Sequence, residues 1–293
     1  MDEYSALYLA ARPKALTIAI IPVVIGTLLA RSSGVLIDWE IAFFALLTSL
    51  VLQIGTHFVN DACDFQRGVD TPARLGSARA AQSGLISASR LYLWGLGMFA
   101  LTTLFGIPLV IKGGGVIALL LALSILAGYC YTGGPKPFAY QGWGELVAFI
   151  FFGLAATGAS YYLQAGKIEL HALLAGTQIG LLETAILAIN NCRDYATDKQ
   201  AGKRTLAVIW GIKFAKYEIS CLLLLPFVLS VGWFYTSYFF AAILPCAIIG
   251  LAFRVTKEIW KHEPGPYYQQ LFALGGALYL VFGTLLAIGI WLQ

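Results

Sequence analysis

Charge is what this chain has least of. Only 12% of its 293 residues are Asp, Glu, Lys or Arg, 59% are hydrophobic, and the mean hydropathy is +0.78. A soluble domain carries about 25% charged and about 45–50% apolar residues, so a soluble globular fold is excluded. Cysteine is sparse and unpatterned: the five residues (63, 130, 192, 221 and 246) are odd in number and show neither a C-x-x-C pair nor metal-type spacing. That argues against a disulfide framework or a zinc site and leaves reduced thiols as the reading. No linker or low-complexity stretch divides the chain, so residues 1–293 read as a single integral domain. No small-residue cleavage site follows the first apolar run after Asp2-Glu3, and that run therefore reads as a helix rather than a removable signal. A net charge of +4 is no nucleic-acid signature here, because the loops are too short to build a basic face outside lipid.

What the chain does have is apolar runs long enough to cross a bilayer as helices, about 17–25 residues each. Nine are visible, near 15–30, 40–60, 90–111, 115–132, 143–164, 171–193, 213–235, 238–255 and 268–291. The expectation is an all-α bundle of nine transmembrane helices with the N-terminus cytoplasmic and the C-terminus outside. The basic residues test it. Sixteen then lie on the cytoplasmic side (Arg12, Lys14, Arg67, Arg74, Arg79, Arg90, Lys136, Arg193, Lys199, Lys203, Arg204, Lys213, Lys216, Arg254, Lys257 and Lys261). Only Arg31, Lys112 and Lys167 lie on the other. This is the positive-inside bias, and a miscounted span would scramble it.

The scarce acids are not scattered. Of fifteen Asp and Glu, five sit in two clusters: Asn60-Asp61-Ala62-Cys63-Asp64 with Asp70, and Asn190-Asn191-Cys192-Arg193-Asp194 with Asp198. The first ends the second apolar run and the second ends the sixth, so both fall on the cytoplasmic side. A carboxylate at the end of a membrane helix is costly unless paired, wet or bound to a cation. Asp61 and Asp64 are three apart and Asp194 and Asp198 four apart, so each pair shares one helical face if the helix continues through the motif. The pattern N-(D/N)-x-x-D recurs four helices on, as expected of half-sites framing a central ligand.

Paired carboxylates held close repel, and a hard cation between their oxygens relieves this. Mg²⁺ suits: it takes few carboxylates and shares its shell with substrate phosphates. Asn60 and Asn190 add neutral ligands beside Asp61, Asp64, Asp194 and Asp198, Asn191 can orient, and Asp70 extends the first cluster. Basic residues follow both motifs: Arg67, Arg74 and Arg79 after the first, Arg193, Lys199, Lys203 and Arg204 after the second. Lys136 sits in Gly133-Gly134-Pro135-Lys136-Pro137. Carboxylates for metal with Lys and Arg for oxygens is what a diphosphate site needs. A long isoprenoid tail would already be dissolved in the membrane. Plainer readings stand beside these. A lone Asp pair at a helix end is ordinarily a solvated terminus, and half of the basic residues serve topology alone. Glu145 and Glu183 are substrate contacts or interhelical hydrogen bonds, and His57 reads as a satisfied core imidazole rather than a base.

At these motifs the sequence resembles the UbiA superfamily of intramembrane aromatic prenyltransferases over nearly its whole length. Within it, Asn60-Asp61-x-x-Asp64-x-x-x-Gly68-Val69-Asp70-Thr71 and Gln82-Ser83-Gly84-Leu85-Ile86 resemble the 1,4-dihydroxy-2-naphthoate prenyltransferases of menaquinone synthesis. So do Asn190-Asn191-x-Arg193-Asp194-x-x-Thr197-Asp198-x-x-Ala201-Gly202-Lys203-Arg204-Thr205-Leu206-Ala207-Val208, Gly142-Trp143-Gly144-Glu145-Leu146, Phe151-Phe152-Gly153 and Arg12-Pro13. Ala62-Cys63 and Cys192 depart from the pattern only at filler positions.

The resemblance implies a Mg²⁺-dependent enzyme of the bacterial inner (cytoplasmic) membrane with its active site facing the cytoplasm. Its partners would be a polyprenyl diphosphate, 1,4-dihydroxy-2-naphthoate and membrane lipid, and its product demethylmenaquinol after loss of CO₂. Asp61, Asp64, Asp194 and Asp198 would be catalytic metal ligands supported by Asn60 and Asn190. Arg67, Asp70, Lys136, Asn191, Arg193, Lys199, Lys203 and Arg204 would bind substrate, and the 61–89 loop would be a lid. Two alternatives stay open: the same reaction on 4-hydroxybenzoate or another aromatic acceptor, and a cation or phosphate transporter. A transporter would more naturally place its acids near mid-membrane.

Overall fold

In hydrocarbon no water is present to satisfy backbone N–H and C=O groups, so apolar runs of this length must form helices. The computed structural model describes residues 3–71 and 75–293, and every regular element among them is helical. Arg74 lies outside the described residues.

A short helix absent from the hydropathy reading comes first. It is α1 (Glu3–Ala11), which buries Ala6 and Ala10 against Phe58, Ala62, Ala80, Ala81 and Leu91. The chain turns at Arg12, in the left-handed region at φ 51°, and enters α2 (Thr17–Ser32) after a 47° bend. Next is α3 (Trp39–Gln66), started by Asp38, whose Oδ1 accepts the Ile41 N–H at 3.2 Å. That bond, with Lys112 3.1 Å away, holds the Asp38 carboxyl below the usual carboxylate range.

The helical segment α4 (Ala88–Cys130) leaves helical geometry at Gly114 (φ 64°, ψ −154°), so two helices meet there. Then come α5 (Gly144–Ala165), α6 (Leu170–Arg193), α7 (Tyr195–Gln200), α8 (Leu206–Trp210), α9 (Ile212–Thr236), α10 (Phe239–Lys261) and α11 (Tyr268–Trp291). Seven of these helices are long and apolar enough to cross a membrane, or eight if the bent pair α1–α2 forms one span.

α6 is the hub. In its most apolar window 78% of residues are buried, against 11% for α4, which turns most of its surface outward. α6 packs on α2, α9 and α11 through Ile179, Leu182, Ile186 and Ile189. It also meets α5 closely. A Cβ on Gly153 would stand 2.5 Å from Gly180 Cα and 2.6 Å from the Gly176 carbonyl oxygen, so only glycine permits this crossing. Gly153 lies in a π-helical stretch, Phe149–Ala155, a distortion that often marks functional sites.

The two motif helices end differently. α3 runs through its motif to Gln66, so Asp61 and Asp64 do share one helix. α6 stops at Arg193, and Asp194 (φ −88°, ψ 8°) is the junction with α7, so Asp194 and Asp198 straddle a break.

Candidate active site

The ends of α3 and α7 are built alike, which the motif spacing did not reveal. Gly68 and Gly202 both have φ +73°, a conformation that glycine adopts without strain. Each closes its helix in the same way: Val69 N donates to the Asp64 carbonyl at 2.9 Å, and Lys203 N donates to the Asp198 carbonyl at 2.8 Å. These six-to-one bonds are the Schellman closure. They make Asp64 and Asp198 equivalent, although the sequence repeat aligned Asp64 with Asp194. Both side chains are buried, and both charges act on one group, the Tyr131 phenol. Burial first, and then Glu145, Glu183, Asp64 and Asp198, hold that phenol well above the usual tyrosine range.

Around Asp64 the site is dense. Tyr140 donates its hydroxyl to Asp64 Oδ1 at 2.8 Å, and Lys203 Nζ lies 4.0 Å from Asp64 Oδ2. Arg67 and Lys203 both stack on the Tyr140 ring, at 5.0 and 5.6 Å from its centroid. Burial and the Asp64 charge push the Tyr140 phenol upward, so it stays a donor. Asn60 Oδ1 accepts from Thr132 Oγ1 at 2.6 Å, and Arg67 donates to the Thr132 and Gly134 carbonyls. The turn after α4 is thereby tied to the first motif.

Asp61 points elsewhere. Its two oxygens accept the backbone N–H groups of Ala80 (3.0 Å) and Ala81 (3.3 Å), fastening the loop that precedes α4. The same loop is held by Asp70, whose Oδ2 lies 3.5 Å from Arg79 Nε. Asp194 is likewise engaged: Arg193 clamps it with Nε to Oδ1 at 2.8 Å and Nη2 to Oδ2 at 2.7 Å. Arg193 also reaches Asn190 Oδ1 (2.7 Å) and Gln269 Oε1 (2.5 Å) and lies over Phe272. Asn191 donates to Glu145 Oε1 at 2.7 Å, joining α6 to α5. Lys136, Lys199 and Arg204 are exposed on the rim, with Lys199 over the Tyr195 ring. His57 is satisfied on both ring nitrogens, by the Ala11 carbonyl (3.0 Å) and Gln53 (3.1 Å). All five cysteines are free thiols.

The structure therefore gathers Asn60, Asp64, Arg67 and Lys203, joins the Asp198 turn to them through Lys203, and turns Asp61 and Asp194 to the framework. Among the described residues no group of three or more His, Cys, Asp or Glu is close enough to form a metal cage. Two buried carboxylates, one beside a lysine, match a cation that takes one or two carboxylates and completes its shell from phosphate. Tyr131, Thr132, Tyr140 and Gln269 are contributors that sequence reasoning missed. The first three lie beside Gly133-Gly134-Pro135-Lys136, which was noted only for its lysine; nothing local marks Gln269.

Beneath this polar face lies an apolar cavity of about 150 Å³ between α2, α3, the second half of α4 and α5. It runs from Tyr131 past Gln53, Leu121 and Phe152 to Ala45 and Leu163, which is the depth of about eleven residues of α3, or roughly 16 Å.

The chain matches the family model for the UbiA prenyltransferase family over residues 19–275. It is 34% identical to the 1,4-dihydroxy-2-naphthoate octaprenyltransferase of Haemophilus influenzae, over 95% of this chain and 94% of that protein. It is 31% identical to the enzyme of the same name from Bacillus subtilis, over 77% and 72%. Among solved structures it resembles a UbiA homologue from Archaeoglobus fulgidus bound to GPP and Mg²⁺, with a TM-score of 0.68 and 17% identity over 96% of this chain and 99% of that one. That last likeness is one of fold, and it agrees with the helical bundle described above. A family match covering most of the chain, with relatives this similar along nearly all of it, makes this protein a member of the UbiA prenyltransferase family.

Proposed function

We propose that this protein transfers a polyprenyl group from polyprenyl diphosphate to 1,4-dihydroxy-2-naphthoate, with loss of the ring carboxyl as CO₂, to give demethylmenaquinol. The observation that carries it is the meeting of two like-built helix ends through Lys203, whose N–H closes the Asp198 turn at 2.8 Å while its Nζ lies 4.0 Å from Asp64 Oδ2, above an apolar cavity. The names of the relatives at 31–36% identity point to the same donor class and acceptor. In this reading the break at Gly114 marks two spans within α4, which with the bent pair would make nine. The nine form one domain in the cytoplasmic membrane, with the N-terminus and the polar face cytoplasmic and the C-terminus outside.

Asp64 and Asp198 hold Mg²⁺ with the diphosphate, Asn60 and Asn190 completing the surroundings. Bound there, Mg²⁺ neutralises charge that grows on the leaving diphosphate. Lys203 works from beside Asp64, and Arg67, Lys136, Lys199 and Arg204 draw the diphosphate in from the rim. Asp61 and Asp70 hold the loop before α4 as a cover, while Arg193, Asp194 and Asn191 fix where α6 ends. The prenyl tail lies in the apolar cavity, whose walls exclude water from the allylic cation. The electron-rich ring attacks that cation.

The test is prenyl transfer by purified protein in detergent, with a long-chain prenyl diphosphate and labelled 1,4-dihydroxy-2-naphthoate, in Mg²⁺ or in EDTA. We expect a labelled lipid only with Mg²⁺, and a loss of at least about 100-fold in Asp64→Ala and Asp198→Ala, as for removal of a group that stabilises developing charge. Product with 4-hydroxybenzoate alone would reassign the acceptor. Ion flux in proteoliposomes lacking prenyl diphosphate, with no transfer, would overturn the enzyme reading.

A further inference from the structure

One carboxyl group on α6 takes no part in the site as described. Glu183 precedes Asn190 by seven residues, two helical turns, which puts it on the same face about 10 Å deeper. The residue is 7% exposed, and its Oε2 is buried with no hydrogen-bond partner. A carboxyl group at that depth is costly to hold, and the packing around it offers no cation. Its ionisable neighbours are Glu145 of α5, Tyr131 after α4 and Tyr279 of α11. Glu145 is engaged by Asn191 at 2.7 Å, and Tyr279 gives its hydroxyl to the Ile18 carbonyl at 3.1 Å. Glu183 thus keeps an open acceptor oxygen. Tyr131 lines the apolar cavity. Glu183 lies one turn from Gly180, which packs on Phe149 and Gly153 of α5, and Phe152 of that stretch lines the cavity, so the carboxyl group lies between the tail cavity and the motif end of α6, where an acceptor ring must lie to reach the reacting carbon.

We propose that Glu183 binds the aromatic acceptor, its Oε2 accepting a hydrogen bond from one ring hydroxyl. This rests on the prenyl-transfer reading above. A buried carboxyl oxygen with no partner is a ready acceptor for a ring hydroxyl. Such a bond fixes which ring carbon faces the cation and enriches the ring in electrons. A buried acceptor oxygen left unmatched also selects against acceptors that lack the hydroxyl.

The experiment is equilibrium binding of 1,4-dihydroxy-2-naphthoate to the full chain in detergent, with Mg²⁺ and a non-reactive prenyl thiodiphosphate present. The proteins are the parent, Glu183→Gln and Glu183→Ala, and the two mono-O-methyl ethers of the acceptor are run on the parent. The acceptor Kd should rise about 10–100-fold in Glu183→Ala, the range for a buried hydroxyl left without its acceptor. It should rise less in Glu183→Gln, whose amide oxygen still accepts, and the thiodiphosphate Kd should not move. One methyl ether should lose affinity on the parent to the same degree, and should lose nothing further in Glu183→Ala. An unchanged acceptor Kd in Glu183→Ala, or equal losses for both ligands, overturns the inference. If neither variant folds, the ethers on the parent decide: both binding as tightly as the free diol overturns it. Should the parent bind the thiodiphosphate but no acceptor, the naphthoate reading itself falls.

Discussion

Tyr140 is the residue that couples the most parts of the site. It donates to Asp64 and offers its ring to both Arg67 and Lys203. Partners that orient a metal-bound carboxylate change metal affinity by about 10–100-fold. Tyr140→Phe keeps the ring and deletes the donor, so the Mg²⁺ concentration for half-maximal transfer should rise by that factor at an unchanged melting temperature. A shift of the melting temperature without a shift in Mg²⁺ demand would make Tyr140 a packing residue. Arg193 acts in the opposite way. Its fork is closed on Asp194, and both side chains are almost wholly buried. Arg193→Ala strands a buried carboxylate, a loss of about 3–5 kcal/mol, which thermal unfolding in detergent would read. Arg193→Lys should recover little, because an ammonium cannot reproduce two parallel bonds.

At the scale of elements, the crossing of α5 on α6 decides how deep the cavity can be. Phe152 and Ala155 of the π-helical stretch line the cavity, and Gly153 of the same stretch lies against Gly176 and Gly180. Backbone contact at that point leaves nothing to repack. Gly153→Ala should destabilise by about 1–3 kcal/mol, visible as a lower melting temperature, and should lower transfer with long tails more than with short ones. Equal activity across tail lengths would separate the crossing from the cavity. The ends of α3 and α7 also belong to this scale. A left-handed glycine four residues after Asp64 and again after Asp198 closes each helix on the aspartate's own carbonyl, and Lys203 of the second turn reaches Asp64 of the first.

For the whole molecule the open quantity is topology, and Gly114 is where it turns. With nine spans, Gly115→Cys and Ser237→Cys, in a chain stripped of its own cysteines, should react with an impermeant maleimide only from outside the cell. Gln200→Cys should react only from the cytoplasmic side. If α4 crossed as one long helix, Gly115 would lie in lipid and escape labelling from both sides. Nine spans would put sixteen basic residues on one side and three on the other, the positive-inside pattern that favours the first outcome.

The chain's composition and order determined much on their own. Apolar runs in lipid have no alternative to helix, and the nine expected spans fall on seven helices long and apolar enough to cross and on the bent pair, two of them sharing α4, which breaks at Gly114. The rare carboxylates at two helix ends marked the site because nothing else in an oily chain explains them. The roles of single residues were decided only by tertiary structure. Spacing put Asp61 with Asp64 and Asp194 with Asp198 as pairs. The fold instead turns Asp61 to the Ala80 and Ala81 amides and Asp194 to Arg193, and links Asp64 to the Asp198 turn through Lys203. Whether a carboxylate meets a backbone amide, a guanidinium or a cation depends on which distant segment packs beside it. Gln269 reaches Arg193 from 76 residues away and Tyr140 reaches Asp64 from 76 residues away, and local periodicity carries no information about contacts of that range.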